Sequence, residues 1–130
     1  MVRSYDPAKI PSVYNLEEVP PVRDEEGVTQ KVFRGIDQMI GFTTITPASS
    51  DSEPHTHPYE QTNMLIQGEL DFIVGDDRIS LEQYDIIEIP PEVPHTSRTV
   101  SDEPAILLAF WPLREDRLWA TEYQEEFDTE

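Results

Sequence analysis

The sequence predicts an all-β sandwich or barrel that forms a single domain. From residue 28 onward, about eight short runs rich in Val, Ile, Phe and Thr follow one another, with turn residues between them. A convincing helical pattern is almost absent until the C-terminal end. Short strands at regular spacing are typical of sandwiches and barrels, and 130 residues are enough for one such domain with a buried core.

The elements follow in a simple order. Residues 1–27 are rich in proline and acidic residues, which predicts an N-terminal arm with one short strand at 12–16. The arm is expected to pack on the barrel or on a partner subunit. Residues 28–114 form the β domain, with strands predicted at 28–36, 39–46, 62–67, 69–74, 78–81, 85–89, 95–100 and 105–111. Residues 115–130 are predicted as a short C-terminal helix and an acidic tail, and the helical pattern itself spans 114–127.

Turn residues connect these strands. A polar loop is predicted at 47–54, a tight turn at Gly68, a turn at 75–77 and a proline-rich turn at 90–94. Leu70 and Phe72 share one face of the strand at 69–74, so they are predicted to lie in the core.

The composition excludes several classes of function. A net charge of -18 and a pI near 4.2 argue against nucleic acid and anionic membrane as partners, because both require clustered Lys and Arg. The acidity fits either a highly soluble surface or adaptation to a salty cytoplasm, where salt screens the repulsion. With no cysteine, disulfides and thiolate chemistry are excluded. No signal peptide or membrane-spanning run is evident, so a cytoplasmic protein is expected.

The three histidines of the chain predict a site for one divalent metal ion. On a strand, side chains alternate between faces, so His55, His57 and Gln61 can point to one side while Glu60 faces away. His95 follows the proline-rich turn. Imidazole nitrogens suit Zn, Fe, Ni, Cu or Mn, and the Gln61 carbonyl oxygen supplies a fourth ligand with positions left open for substrate. The alternative is a surface His-x-His without ligand function.

These residues resemble the two sequence motifs of a small single-domain cupin, over about residues 39–118. His55-Thr56-His57 with Gln61 and Gly68 matches the first motif, and Pro90 with His95 matches the second. Departures are Gln61 where Glu is commonest and, at three positions usually held by glycine, Ser49, Tyr84 and Glu92. The resemblance implies a double-stranded β-helix (a jelly-roll barrel) with a metal in its mouth. Tyr84 is expected to fill the space that glycine leaves open at its turn.

A closer resemblance is to KdgF-type cupins, which convert cyclic 4,5-unsaturated uronates to the linear ketone form. It implies metal ligands His55, His57, Gln61 and His95, a pocket residue at Phe110 and a substrate-binding arginine at Arg114. The catalytic aspartate of that subgroup would fall at Leu108, which cannot transfer a proton. Alternatively, Arg114 is a surface residue that pairs with Glu115 or Asp116, and Phe110 and Trp111 pack in the core or in a dimer interface.

The sequence thus predicts a metal-dependent enzyme of isomerase or lyase type that acts on a small anionic metabolite, such as a sugar acid or keto acid. Because Gln61 is neutral, an anionic group of the substrate is favoured at the metal. The alternatives are a non-haem metal dioxygenase and a non-catalytic cupin that binds a ligand or metal. The arm and the edge strands favour a homodimer.

Overall fold

The computed structural model describes residues 14–47 and 53–126, and it confirms a mostly-β fold with two antiparallel sheets. Each of the eight predicted strands is present, with ends within two residues of the prediction. In chain order the strands are β1 (Arg23–Glu25), β2 (Val28–Arg34), β3 (Gln38–Ile45), β4 (Gln61–Gln67), β5 (Leu70–Val74), β6 (Asp77–Leu81), β7 (Ile86–Ile89), β8 (His95–Thr99) and β9 (Ala105–Pro112).

The two sheets differ in size. The larger has the strand order β1-β2-β3-β9-β4-β7, and the smaller has the order β6-β5-β8. Because neighbours in the larger sheet are not all consecutive in sequence, β9 returns to lie between β3 and β4, as in a jelly roll. In the described residues, no helix is long and apolar enough to cross a membrane.

The core lies between the inner faces of the sheets. Leu65 and Ile89 from the larger sheet pack in one cluster with Leu70 and Phe72 from the smaller one, and all four are buried. The predicted core positions on β5 are therefore confirmed. Alternation along β5 leaves Asp71 on the outer face of the smaller sheet, where its carboxylate accepts hydrogen bonds from Ser80 and Arg78.

Register determines which residues of the larger sheet face inward. Gly41 on β3 and Asn63 on β4 both lie opposite Ala109 on the central strand β9. All three are buried. The odd-numbered residues of β9 therefore face the barrel interior, and the even-numbered residues, Leu108 among them, face outward.

One prediction about the chain ends is wrong. The strand predicted at 12–16 is not found at its described end, where a 3-10 helix begins instead (Leu16–Glu18) and the Asn15 side chain caps it by accepting from the Glu17 amide at 2.9 Å. The C-terminal segment is a 3-10 helix (Glu115–Thr121) followed by an α-helix of one turn (Tyr123–Glu126), and residue 127 lies outside the described residues.

One buried side chain attaches this C-terminal segment to the sheet. The Gln124 carbonyl oxygen accepts from the Arg34 amide at 2.9 Å, and its amide nitrogen donates to the Tyr14 hydroxyl at 2.8 Å. Gln124 is fully buried, so these bonds satisfy polar groups that water cannot reach. These tertiary hydrogen bonds stabilise the C-terminal segment, so its two helices can be short.

Two of the departures from the glycine pattern carry left-handed backbone. Tyr84 has φ 73° and Glu92 has φ 69°, a region that side-chain-bearing residues rarely adopt. Tyr84 is 66% exposed, so the expectation that its side chain fills a space within the turn is wrong. The left-handed backbone at Tyr84 lets the chain turn there, and the exposed ring extends into solvent. Ser49 lies outside the described residues.

Candidate metal centre

A backbone bridge holds two of the histidines side by side. His55 and His95 form an isolated antiparallel pair in which each amide donates to the other's carbonyl oxygen, at 3.0 Å in both directions. His95 begins β8, directly after the turn that ends at Pro94. The loop before β4 is thereby attached to the smaller sheet, so the two imidazoles lie 4.3 Å apart between ring centroids.

The segment between His55 and Gln61 is not a regular strand, because β4 begins only at Gln61. The simple parity argument for one continuous strand is therefore wrong, and the side chains converge for another reason. Pro58 supplies no amide hydrogen for a ladder, and the chain turns so that Tyr59 stacks on His57 at 4.2 Å between centroids. Glu60 is exposed, as the parity argument expected.

The three histidines nevertheless meet at one point. One nitrogen from each of His55, His57 and His95 lies within 4.8 Å of the other two. His57 and His95 are buried, whereas His55 is exposed at the mouth. Nitrogens at this separation can share one ion with bonds of about 2.1 Å, because ligand atoms of one ion then lie up to about 4.2 Å apart and small rotations close the remainder.

Backbone carbonyls orient the two buried rings. Nδ1 of His57 lies 2.8 Å from the carbonyl oxygen of Tyr59, and Nδ1 of His95 lies 2.9 Å from that of Val93. A carbonyl oxygen only accepts, so each Nδ1 carries the hydrogen and each Nε2 carries the lone pair. Nε2 of His95 is buried without any hydrogen-bond partner among the described residues. A buried lone pair left in this way is what a metal ligand requires.

Gln61 adds an oxygen to the same point. Its amide nitrogen donates to Oδ1 of Asn63 at 2.9 Å, which turns Oε1 toward Nε2 of His57, 3.0 Å away. Both facing atoms carry lone pairs, so neither donates to the other when His57 is neutral. Around an ion with bonds of about 2.1 Å, ligand atoms at right angles lie about 3.0 Å apart. The residues present therefore fit the metal that the sequence predicts, with Gln61 beside His57.

The electrostatics of the site favour the neutral form of His95. Burial lowers the pKa of His95 below its ordinary value, the hydrogen bond to the Val93 carbonyl opposes this, and the nearby His57 lowers the pKa further. A neutral ring is the form that binds a metal ion.

The site opens on a cavity of about 540 Å³ inside the barrel. Its floor and walls include the site residues His55, His57, Gln61 and His95, together with Tyr59, Asn63, Ala109 and both tryptophans of the chain, Trp111 and Trp119. Arg23, Glu25 and Glu26 of the β1 hairpin also line it. A volume of several hundred Å³ is ordinary for a small-molecule site. Neither Trp111 nor Asn63 is predicted as a site residue from the sequence, because nothing local distinguishes them from core residues.

The structure places the other predicted site residues outside this cavity wall. Phe110 lies on the outward face of β9, opposite Ile40 and Thr62, and Leu108 is on the same face. The guanidinium of Arg114 lies 5.3 Å from the centroid of the Tyr59 ring. Its Nε is 3.6 Å from a carboxylate oxygen of Asp116, the surface pairing that was the alternative. Substrate contacts of Arg114 and Phe110 stay predictions.

The family of the chain follows from comparison with known proteins. A family model described as a cupin domain matches residues 41–111, which include the whole histidine cluster. The chain belongs to the cupin family.

Solved structures agree on the fold. The KdgF of Halomonas sp. superposes with a TM-score of 0.71 at 20% identity and covers 84% of this chain and 100% of its own. An RmlC-like cupin from Shewanella frigidimarina gives 0.66 at 21% identity, with 79% and 92% covered. Oxalate decarboxylase of Bacillus subtilis, a protein with Mn(II) centres, gives 0.67 at 20% identity, with 75% of this chain but only 29% of its own covered. At such identities the likeness shows the fold alone.

Proposed function

We propose that this cupin is a metal-dependent enzyme of isomerase or lyase type that acts on a small anionic metabolite, such as a sugar acid or keto acid. The observation that supports this most is the histidine cluster with an open side. One nitrogen from each histidine lies within 4.8 Å of the others, and the cluster faces a 540 Å³ cavity. A divalent ion bound there, with Zn, Ni, Mn and Fe as candidates, supplies Lewis acidity that polarises a carbonyl or hydroxyl oxygen of the ligand.

The preference for an anion follows from the charges around the site. The candidate ligands are three imidazoles and the amide of Gln61, so none of them offsets the charge of the ion. Arg23 also lines the cavity, but its Nε lies 3.7 Å from a carboxylate oxygen of Glu25, and Glu25 and Glu26 line the cavity as well, so the preference for an anion rests on the uncompensated charge of the ion. The net charge of -18 opposes an approaching anion at long range, and this repulsion falls with ionic strength over a Debye length of about 8–10 Å.

Proton transfer requires a group of the chain itself. Besides the histidines, the described cavity-lining side chains that can carry an exchangeable acidic proton are Tyr59, Glu25 and Glu26. Tyr59 is 6% exposed and stacks against His57, so it is the group nearest the cluster. Arg114 packs on the same ring and would act on the cavity through Tyr59. In this proposal Tyr59 exchanges the proton that the aspartate at the Leu108 position would otherwise handle.

The test begins with the ion. Purified protein is expected to contain about one equivalent of metal by elemental analysis, and His55→Ala combined with His57→Ala is expected to abolish it. Retention of one equivalent by that double variant would refute the site. The metal-loaded protein is then incubated with galacturonate, unsaturated uronates and pyruvate, and NMR follows each for conversion. Conversion that persists under strict anaerobiosis excludes the dioxygenase alternative.

A non-catalytic binding function is the second candidate, and one observation favours it. The only described carboxylates that line the cavity, Glu25 and Glu26, are exposed residues of the β1 hairpin, and none comes from the deeper strands. Binding of an anion without any change in its mass or NMR spectrum over days would select this function over catalysis.

We also propose a homodimer. A row of apolar side chains crosses the outer face of the larger sheet: Phe42 pairs with Leu108, Leu108 with Met64, and Met64 with Ile86. Ile86 is 60% exposed on the edge strand β7. A two-fold partner would cover this row. Light scattering is expected to give about 30 kDa, twice the 15.0 kDa of the chain, and Ile86→Glu should lower it toward the monomer.

A further inference from the structure

Three buried polar atoms in the described part of the chain have no hydrogen-bond partner, and all three belong to residues that line the cavity. They are Nε2 of His95, Nδ2 of Asn63 and Nε1 of Trp111. The metal centre accounts for the first of them. The other two are N–H donors that the metal cannot satisfy, because a cation binds lone pairs and not hydrogens. They therefore need a separate explanation.

The side-chain amide of Asn63 is oriented by its neighbour. Its carbonyl oxygen accepts from Nε2 of Gln61 at 2.9 Å, so its amide nitrogen points elsewhere. Asn63 is 1% exposed. Its cross-strand neighbour on β9 is Ala109, whose short side chain leaves the space beside it to the cavity. The Gln61 side-chain amide thus has two roles. Its oxygen faces His57, and its nitrogen positions the Asn63 donor.

A small residue on β3 makes room for the indole of Trp111. A Cβ atom built on Gly41 would lie 2.9 Å from both Cη2 and Cζ3 of Trp111, so the six-membered ring covers Gly41 directly. Nε1 lies on the opposite edge of the indole, away from Gly41. Trp111 is two residues beyond Ala109 and on the same face of β9, so it is diagonal to Asn63 across the strand pair. Residues in that relation have Cα atoms about 7–8 Å apart, so the two residues occupy neighbouring parts of the cavity wall.

We propose that Asn63 and Trp111 form a donor subsite that binds an acceptor oxygen of the ligand held at the metal centre, most simply a carboxylate oxygen. Both groups only donate at their unpaired atoms, so the ligand atom must offer them a lone pair. Donors that lie unpaired in a cavity wall can bind an anion without a charged side chain. The proposal rests on the proposed function, because the metal holds the other end of the ligand.

The competing explanation is that the two donors bind only ordered water and that both residues serve packing. Substitutions separate the two explanations, because each explanation predicts a different effect on stability and on ligand affinity. Trp111→Phe removes an unpaired donor and keeps an aromatic ring at this position, so any loss of stability should come from the indole atoms lost over Gly41 and not from the donor. If the donor binds a ligand, the same substitution should lower affinity.

The experiment uses full-length, metal-loaded protein as wild type, Trp111→Phe, Asn63→Asp and, as the control, Tyr84→Phe. Tyr84 is 66% exposed and is not among the residues that line the cavity, so loss of its hydroxyl should change affinity less than twofold. Isothermal titration with oxalate, pyruvate and galacturonate measures binding after elemental analysis has verified equal metal content. Trp111→Phe should weaken binding of the best probe about tenfold, because a hydrogen bond to a charged group is lost.

Asn63→Asp should weaken it further, since an acceptor then faces the anion while the bond from Gln61 is kept. In a Trp119→Phe protein Trp111 is the sole tryptophan, and its emission should shift when the probe binds. If Asn63→Asp fails to fold, Trp111→Phe and the emission shift decide the question.

Full metal content with probe affinities within twofold of wild type in Trp111→Phe would overturn the subsite, as would a wild type that binds none of the three probes. Probe binding that depends on Asn63 and Trp111 but leads to no conversion would instead support the subsite and refute catalysis.

Discussion

Substituting Gly41 with alanine tests how closely the indole of Trp111 packs in the cavity wall. The added Cβ would lie 2.9 Å from two ring carbons, whereas ordinary carbon contacts are about 3.5–4.0 Å, so the ring must retreat by at least about 0.6 Å. Gly41 does not have a positive φ, so the substitution introduces no backbone strain of its own. Its cost is therefore purely steric.

The magnitude follows from two opposing effects. Overpacking a well-filled site costs about 1–3 kcal/mol, and replacing glycine by alanine recovers about 0.4–1 kcal/mol by restricting the unfolded chain. The expected net loss for Gly41→Ala is about 1–2 kcal/mol, which lowers the urea midpoint by about 0.5–1 M. Far-UV circular dichroism of the metal-free protein is the suitable measurement, because displacement of Trp111 changes fluorescence by itself.

Two further proteins make the prediction sharp. Gly35→Ala is the matched control, since its Cβ would find Cγ of Gln38 at an ordinary 3.8 Å, and its stability should stay within about 0.5 kcal/mol of wild type. In a Trp111→Phe background the two clashing atoms are gone, so Gly41→Ala should become neutral or slightly stabilising. A double-mutant cycle should then give a coupling of about 1–2 kcal/mol. Equal costs in both backgrounds would refute the packing argument.

Three other outcomes are expected. Removing the metal with a chelator should lower the thermal midpoint by several degrees, and readdition should restore it, because an ion bound only to the native state stabilises that state; an unchanged midpoint would speak against a resident ion. Gln61→Glu should retain or tighten metal binding, measured by competition with a chromogenic chelator, and weaken anion binding, because it adds a negative charge beside His57; anion affinity equal to wild type would contradict this. Asp71→Asn should cost about 1–3 kcal/mol in urea unfolding. Hydrogen bonds from Ser80 and then Arg78 hold the pKa of Asp71 below its ordinary 3.8, so its stabilisation is complete above that pH and is lost as pH falls through the native pKa. The difference between Asp71→Asn and wild type should therefore shrink between pH 4 and pH 2.

The fold could be predicted well because its strands are marked by composition and turns. β1 was the exception, since Arg23–Glu25 contains only charged residues and all three are exposed. A strand of that kind forms because β2 offers it a paired edge, which no local pattern reveals. The three histidines of the metal cluster could be predicted from the sequence, but the contacts that bring them together could not. The bridge between His55 and His95 is a contact across forty residues that depends on how the two sheets close.

The cavity wall was harder to predict, and the reason lies in β9. Its residues from 105 to 111 are apolar on both faces, so alternation alone cannot tell whether Ala109 and Trp111 or Leu108 and Phe110 point inward. The resemblance to KdgF-type cupins favoured the second pair, and the register with β3 and β4 selects the first. Leu108, the position that corresponds to the subgroup's catalytic aspartate, thus lies on the outer face of the sheet and not in the cavity wall.

The distribution of unsatisfied groups explains why this wall of the barrel is better understood as a ligand site than as core. Each unpaired buried donor or acceptor costs about 1–3 kcal/mol, and the three described examples, on His95, Asn63 and Trp111, all belong to residues that line the same cavity. Gly41, beneath the indole, is a glycine in the middle of a strand, which lowers stability by about 0.5–1 kcal/mol relative to alanine. On the outer face of the smaller sheet, by contrast, the carboxylate of the buried Asp71 has hydrogen-bond partners. A chain that satisfies a buried carboxylate on one face yet leaves three polar atoms unpaired around one cavity has given up stability where a metal and an anion can restore it.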